Sequence, residues 1–118
     1  MSDLLSTDCV FCRIAAREIP AEILHETPSV VAFRDLDPKA PTHILIIPKE
    51  HLESIADIEE RHGPVLVDVA MTAAHLADTE NLEGGWRLVT NVGPDAGQSV
   101  FHLHVHLLGG RRMAWPPG

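Results

Sequence analysis

The densest chemistry in the chain is the run Val100 to Leu108, in which His102, His104 and His106 alternate with Leu103, Val105 and Leu107. Successive side chains of a strand point to opposite faces, so this spacing predicts three imidazoles on one face and three aliphatics on the other. At about 3.3 Å per residue, neighbouring imidazoles stand roughly 7 Å apart and the outer two roughly 13 Å. One ion cannot take all three directly, so any metal here borrows ligands from elsewhere. An imidazole can also be a nucleophile, a general acid or base, or, when charged, a donor to developing anionic oxygen. One such ring attacking phosphorus, flanked by others that handle charge and the leaving-group proton, would divide a nucleotidyl transfer into two steps. The loop just upstream suits an anion: Gly93, Gly97 and Ser99 allow backbone N–H groups to turn inward without lysine. Asn91, Gln98 and Ser99 add neutral donors. The pattern points to catalysis or metal binding and leaves both open.

A second constellation is Cys9-x-x-Cys12, the only two cysteines in the chain. A redox pair, two buried thiols or half of a zinc site all fit it. A disulfide framework does not, because there is no secretory signal and no third cysteine.

Nine Lys plus Arg against seventeen Asp plus Glu give a net charge of −8 over 118 residues, with eight His outside that sum. The acidic balance excludes broad nucleic-acid binding, which needs clustered cations against phosphates. A small phosphorylated ligand would have to be held by local dipoles and imidazoles. At 45% hydrophobic and 22% charged, the composition is that of one compact domain over residues 1 to 118. Residues 1 to 7 read as an N-terminal extension and 109 to 118 as a C-terminal tail. The start Met1 to Cys9 lacks a signal peptide, and no apolar run reaches the about 18 to 20 residues of a membrane span, so a cytoplasmic location is expected.

The elements that must position these residues follow from periodicity. A short helix over residues 9 to 17 starts after Asp8 as N-cap and stops before Pro20. Glu22 to Glu26 and Val30 to Arg34 read as a hairpin turned at Thr27-Pro28-Ser29. His43 to Pro48 is almost wholly apolar, as a strand covered on both faces must be. Val65, Leu66, Val69, Ala73, Leu76 and Ala77 predict a long amphipathic helix within Asp57 to Asp78, broken at Gly63-Pro64. Trp86 to Val92 and Val100 to Leu108 complete five strands. The expected fold is α+β, a five-stranded mostly antiparallel sheet with one long helix and one short N-terminal helix. In the tail, Trp115 must pack on the body or on another subunit.

Residues 97 to 108, Gly-Gln-Ser-Val-Phe-His-Leu-His-Val-His-Leu-Leu, closely resemble the signature of the histidine triad superfamily. The resemblance extends through the Glu-Ile-Pro at 18 to 20, the segment from Ala32 to His51 and the tail, and is nearer to the histidine triad nucleotide-binding branch than to the dinucleoside polyphosphate hydrolases. It implies a HIT-like fold and a nucleotidyl-histidine formed on His104. It also implies that His106 stabilises charge and protonates the leaving group, directly or through Ser99, and that His43 orients the chemistry. Asn91, Gly97, Gln98, Ser99 and Asp35 correspond to phosphate and ribose contacts. Val10, Phe11, Ile14, Phe33 and Leu36 correspond to the pocket for a purine base. Arg34 stands where some relatives carry a His. In zinc-binding bacterial relatives Cys9, Cys12, His51 and His102 match a closed structural site, one zinc per chain. Relatives pair as homodimers in which the tail reaches towards the partner's site.

The implied activity is hydrolysis of purine nucleoside 5′-phosphoramidates or related adenylates. Cleavage of dinucleoside polyphosphates, a nucleotide-binding regulatory module with incidental catalysis, and a redox or metal-handling protein are the competing readings. A nucleophilic imidazole needs its second nitrogen held by an acceptor, here expected to be a carbonyl near the glycine loop. His25, His62 and His75 are expected on the surface or a helix face, without a role.

Overall fold

The structure is a computed structural model that describes residues 8–118; the expected extension at 1 to 7 lies outside the described residues. Its sheet contains β1 (Ile23–Glu26), β2 (Val30–Arg34), β3 (Thr42–Pro48), β4 (Trp86–Val89) and β5 (Val105–Gly109) in the order β1-β2-β3-β5-β4. Every neighbouring pair is antiparallel. β3 is central and buried along all seven residues, which explains its nearly unbroken apolar run.

The two faces of the sheet are covered differently. The 17-residue helix α2 (Gly63–Thr79) lays Val69, Ala73, Leu76 and Ala77 on Val30, Ala32, Ile44, Ile46 and Leu107. Those helical positions recur at the spacing of one face, and the strand residues are the alternate ones that point towards it. Pro64 falls in the first turn of α2, where its missing N–H costs nothing, so the expected break is the true start of the helix. On the opposite face the short helix α1 (Val10–Ala15) inserts Phe11 and Ile14 against Val31, Phe33, Leu45 and Ile47. The functional imidazoles lie on this second face.

Several expectations are corrected. The N-cap of α1 is Cys9, whose Sγ accepts from the Cys12 N–H at 3.3 Å, and not Asp8. The last strand begins at Val105 rather than Val100, and the fourth ends at Val89 rather than Val92. Residues 100 to 104 leave the ladder because their partners lie beside the sheet: the Leu103 N–H donates to the Leu52 carbonyl, and His102 Nε2 meets the Pro48 carbonyl at 2.8 Å. His62 is not a surface residue. It is only 2% exposed, its Nδ1 accepts from the Glu59 N–H at 2.8 Å, and its Nε2 faces Glu50 at 3.4 Å. His25 and His75 meet across β1 and α2 as tilted rings with centroids 4.9 Å apart.

The root of the tail is tightly seated. A Cβ on Gly109 would come within 2.6 Å of Leu82, and Gly110, at φ +88°, would place one 2.9 Å from Pro41. Beyond it Trp115 is 82% exposed, so it does not pack on its own body. No helix among the described residues is long and apolar enough to cross a membrane.

Candidate active site and metal centre

His104 is buried, and its Nδ1 lies 2.7 Å from the carbonyl of His102. A carbonyl only accepts, so that nitrogen carries the proton and Nε2 presents its lone pair. The acceptor is therefore a carbonyl of the histidine run itself, not of the glycine loop. Thr90 Oγ1 donates to the His104 carbonyl at 2.7 Å, and the edge of Phe11 packs on the imidazole with centroids 5.0 Å apart. The ring is held by the carbonyl and by Phe11, and its backbone by Thr90.

The opposite polarity arises at His106. The Lys39 N–H donates to His43 Nδ1 at 3.0 Å, which forces the proton of His43 onto Nε2. That Nε2–H lies 2.9 Å from His106 Nδ1 and 3.4 Å from the Asp35 carboxylate. His106 Nδ1 is thus an acceptor, and its own proton sits on Nε2. The rings of His104 and His106 are 5.0 Å apart, one with a bare Nε2 and the other with an N–H there. Burial, reinforced by neighbouring His104 and His43, holds His106 down at about 4, so it is neutral at neutral pH. His43 is also lowered by burial, against the pull of Asp35.

Both rings open onto a cavity of about 310 Å³. Of the residues expected around a nucleotide, Val10, Phe11, Ile14, Phe33, Asp35, Leu36, Ser99, His104 and His106 line it. Leu36 stands at the rim, 97% exposed. Ile19, Pro20, Ala21, Leu45 and Val100 also line it and were not anticipated; the apolar stretch after α1 was the available signal. Arg34 touches the cavity, but its guanidinium turns to the α2 side, where it forms a two-pronged pair with Glu80 at 2.9 Å and meets Glu22 at 3.3 Å. That pairing keeps the Glu80 carboxyl below its ordinary range.

The glycine loop does not present the expected nest of amides. The N–H groups of Ala96 and Gln98 donate to the Gly93 carbonyl, and that of Gly97 to the Pro94 carbonyl. The Gln98 side chain is spent as well: Oε1 accepts from the Gly93 N–H at 2.9 Å, and Nε2 donates to the carbonyls of Glu53 and Val100 at 2.7 and 3.1 Å. Gln98 braces the loop from within. Asn91, Gly97 and Gln98 are outside the lining of the cavity, and Ser99 is the expected donor that reaches it.

Three residues beyond Ser99 on the same irregular stretch, His102 turns away from this cavity. Its Nδ1 lies 3.2 Å from Cys9 Sγ, 3.4 Å from Cys12 Sγ and 3.2 Å from His51 Nδ1, while Cys12 Sγ lies 3.3 Å from His51 Nδ1. The four donor atoms of Cys9, Cys12, His51 and His102 all fall within 4.8 Å of one another. A zinc tetrahedron with ordinary bond lengths has N–N and S–N edges of about 3.4 and 3.6 Å, so the residues fit that ion. His102 Nε2 donates to the Pro48 carbonyl at 2.8 Å, which leaves Nδ1 as a lone pair aimed at the cluster. Burial pushes His102 down to about 4, again favouring the neutral ligand form.

The HIT domain model matches residues 16–113. The chain is 51% identical to a 14 kDa zinc-binding protein of Zea mays, covering 92% of this chain and 87% of that one. It is 47% identical to the adenylylsulfatase HINT1 of Arabidopsis thaliana, over 92% of this chain and 76% of that one. A crystal structure of a HIT family hydrolase from Legionella pneumophila Philadelphia 1 superposes with a TM-score of 0.92 at 50% identity, covering 94% of this chain and 100% of that one. The chain belongs to the HIT domain family, and its α+β fold is that family's fold.

Proposed function

We propose that the protein is a nucleotide-binding hydrolase that cleaves purine nucleoside 5′-phosphoramidates or related adenylates through a nucleotidyl-histidine. The observation that carries this reading is the pair of opposed imidazoles: His104 with a bare Nε2 and His106 with a protonated one, 5.0 Å apart at the mouth of an apolar cavity. The purine lies against Phe11, Ile14 and Phe33, and Asp35 accepts from the ribose. His104 Nε2 attacks the α-phosphorus, the P–N bond breaks, and the departing amine takes the Nε2 proton of His106, with Ser99 beside the phosphate. Water then attacks the nucleotidyl-His104, its proton returns to His106, and the nucleoside monophosphate leaves. The relative named as an adenylylsulfatase supports the wider class of adenylates.

Cys9, Cys12, His51 and His102 hold one structural zinc, which ties α1 to the catalytic stretch and leaves no open ligand position for chemistry. The relatives named as zinc-binding proteins support that assignment. The exposed Trp115 and the short open edge of β4, with Trp86 and Leu88 both exposed, support a homodimer. The test of the activity is release of amine from an adenosine 5′-phosphoramidate. Steady turnover by the wild-type chain that is lost in His104→Ala, with nucleotide binding retained, is the expected result. Turnover that survives His104→Ala contradicts the mechanism, and binding without any turnover favours the regulatory module.

A further inference from the structure

We infer that Arg111, at the root of the C-terminal tail, is a positioning residue that sets which nitrogen of His106 carries the proton. The inference rests on the proposed role of His106 as proton donor and extends it to a residue outside the cavity. Three hydrogen bonds, linked through the backbone of Lys39, run from Arg111 to His106, and a fourth would form to a bound leaving group. Arg111 Nε donates to the Lys39 carbonyl at 3.1 Å, the Lys39 N–H donates to His43 Nδ1 at 3.0 Å, and His43 Nε2–H reaches His106 Nδ1 at 2.9 Å. The fourth would be donated by His106 Nε2–H.

The direction of this chain is decided at His43. With Lys39 donating, His43 can only donate onward, and His106 must keep its proton on Nε2. If the Lys39 N–H turns away, His43 is free to carry its proton on Nδ1. His106 Nδ1–H then donates to His43 Nε2, and the nitrogen facing the substrate becomes a lone pair that cannot protonate an amine. The Asp35 carboxylate, 3.4 Å from His43 Nε2, favours the productive direction but from a longer distance.

Residue 39 needs an external clamp because its segment is exposed and only partly self-supporting. Leu36, Asp37, Pro38 and Lys39 are all exposed, and within the turn Asp35 Oδ1 accepts the Asp37 N–H at 2.8 Å. The backbone at the root of the clamp is closely seated, while the Arg111 side chain itself is exposed. Gly110 approaches Pro41 so closely that a Cβ would lie 2.9 Å from it, and Arg111 Nη1 donates to the Arg112 carbonyl at 3.1 Å. Arg111 also has no carboxylate partner among the described ion pairs, so its donors are committed to backbone oxygen.

The test compares two leaving groups in Arg111→Ala. An amine must be protonated to leave, whereas the sulfate of adenylyl sulfate departs as a stable anion. Arg111→Ala should release amine about tenfold more slowly, mainly in kcat, and hydrolyse adenylyl sulfate within about twofold of wild type. Arg111→Lys, which can still donate to the Lys39 carbonyl, should recover most of the loss. Equal slowing of both substrates, or no slowing of amine release, overturns the inference. Nitrogen-15 NMR of the histidine rings gives a readout independent of turnover. His43 should carry its proton on Nε2 in the wild type, with an Nδ1–H population appearing in Arg111→Ala. A wild-type His43 protonated on Nδ1, or tautomers unmoved by Arg111→Ala, also overturns it. A wild-type chain that releases no amine at all defeats the proposed activity, and the NMR result still decides the positioning role.

Discussion

Two pairs of histidines stand at nearly the same ring spacing, one in the sheet and one beside it, and carry opposite proposed roles. The rings of His51 and His102 are 5.0 Å apart, and those of His43 and His106 are 5.1 Å apart. In the first pair both Nδ1 atoms converge with two sulfurs, and the far nitrogen of His102 is tied to a carbonyl. In the second pair one ring donates to the other, with an amide behind and a carboxylate beside. Residue type and distance are shared, so neither determines the role. What determines it is the group at the second nitrogen of each ring, because that group fixes where the proton sits and hence whether the first nitrogen is a ligand, a nucleophile or an acid.

The sharpest way to break this division is to remove one side chain from each site. His104→Ala should lower kcat for amine release by at least about a thousandfold, since it deletes the proposed nucleophile, while the zinc content stays at the wild-type value. Cys12→Ser should do the reverse. Wild-type protein purified without chelator should contain about one zinc per chain, and Cys12→Ser should lose it together with several kcal/mol of stability. Measurement of metal content and of urea unfolding checks both. A folded, active wild-type chain with under about one-tenth of that zinc removes the metal side of the comparison.

The acid behaviour of His106 sharpens it further. The folded pKa of His106, about 4, lies below its ordinary 6.5, so the unfolded chain binds the proton first as pH falls. The stability contribution of neutral His106 is therefore fully present above pH 6.5 and is lost as pH drops from 6.5 towards 4. Unfolding measured across that window should show a shallower pH slope in His106→Asn than in wild type. An unchanged slope would mean that burial of His106 carries no linkage. The smallest expected effect is at Arg34. Arg34→Ala should cost only about 1 kcal/mol, because its pair with Glu80 is partly solvated, and should leave zinc content unaltered.

The sheet, both helices and the residues of the two histidine clusters were legible in the sequence because they depend on local periodicity and on a specific motif. The uniform apolarity of β3 reports a strand covered on two faces, and the 3.6-residue spacing of α2 reports the face that does the covering. Strict alternation in the histidine run was less faithful. It describes a strand over residues 100 to 108, whereas the chain is irregular until Val105, because His102 and Leu103 bond to the segment around Pro48 and Leu52. The glycine loop was misread for a related reason. Composition shows that its amides can turn inward, but not that the carbonyls of Gly93 and Pro94 take them. His62 was misplaced because its partner Glu50 is brought to it by tertiary structure alone, as Glu80 is brought to Arg34. The Lys39 amide, which sets the proton on His43, has no side-chain signature at all.

The central claim is that His104 presents a bare Nε2 to the α-phosphorus and becomes nucleotidylated there. Rapid quenching during turnover of an adenosine 5′-phosphoramidate, followed by peptide mass spectrometry, tests it directly. The expected result is one adenylyl group on the peptide containing His104, absent in His104→Ala and accumulated in His106→Asn when the substrate is adenylyl sulfate. Turnover at the wild-type rate with no adenylyl group on any histidine, or with the group on His102 or His106, would contradict the account.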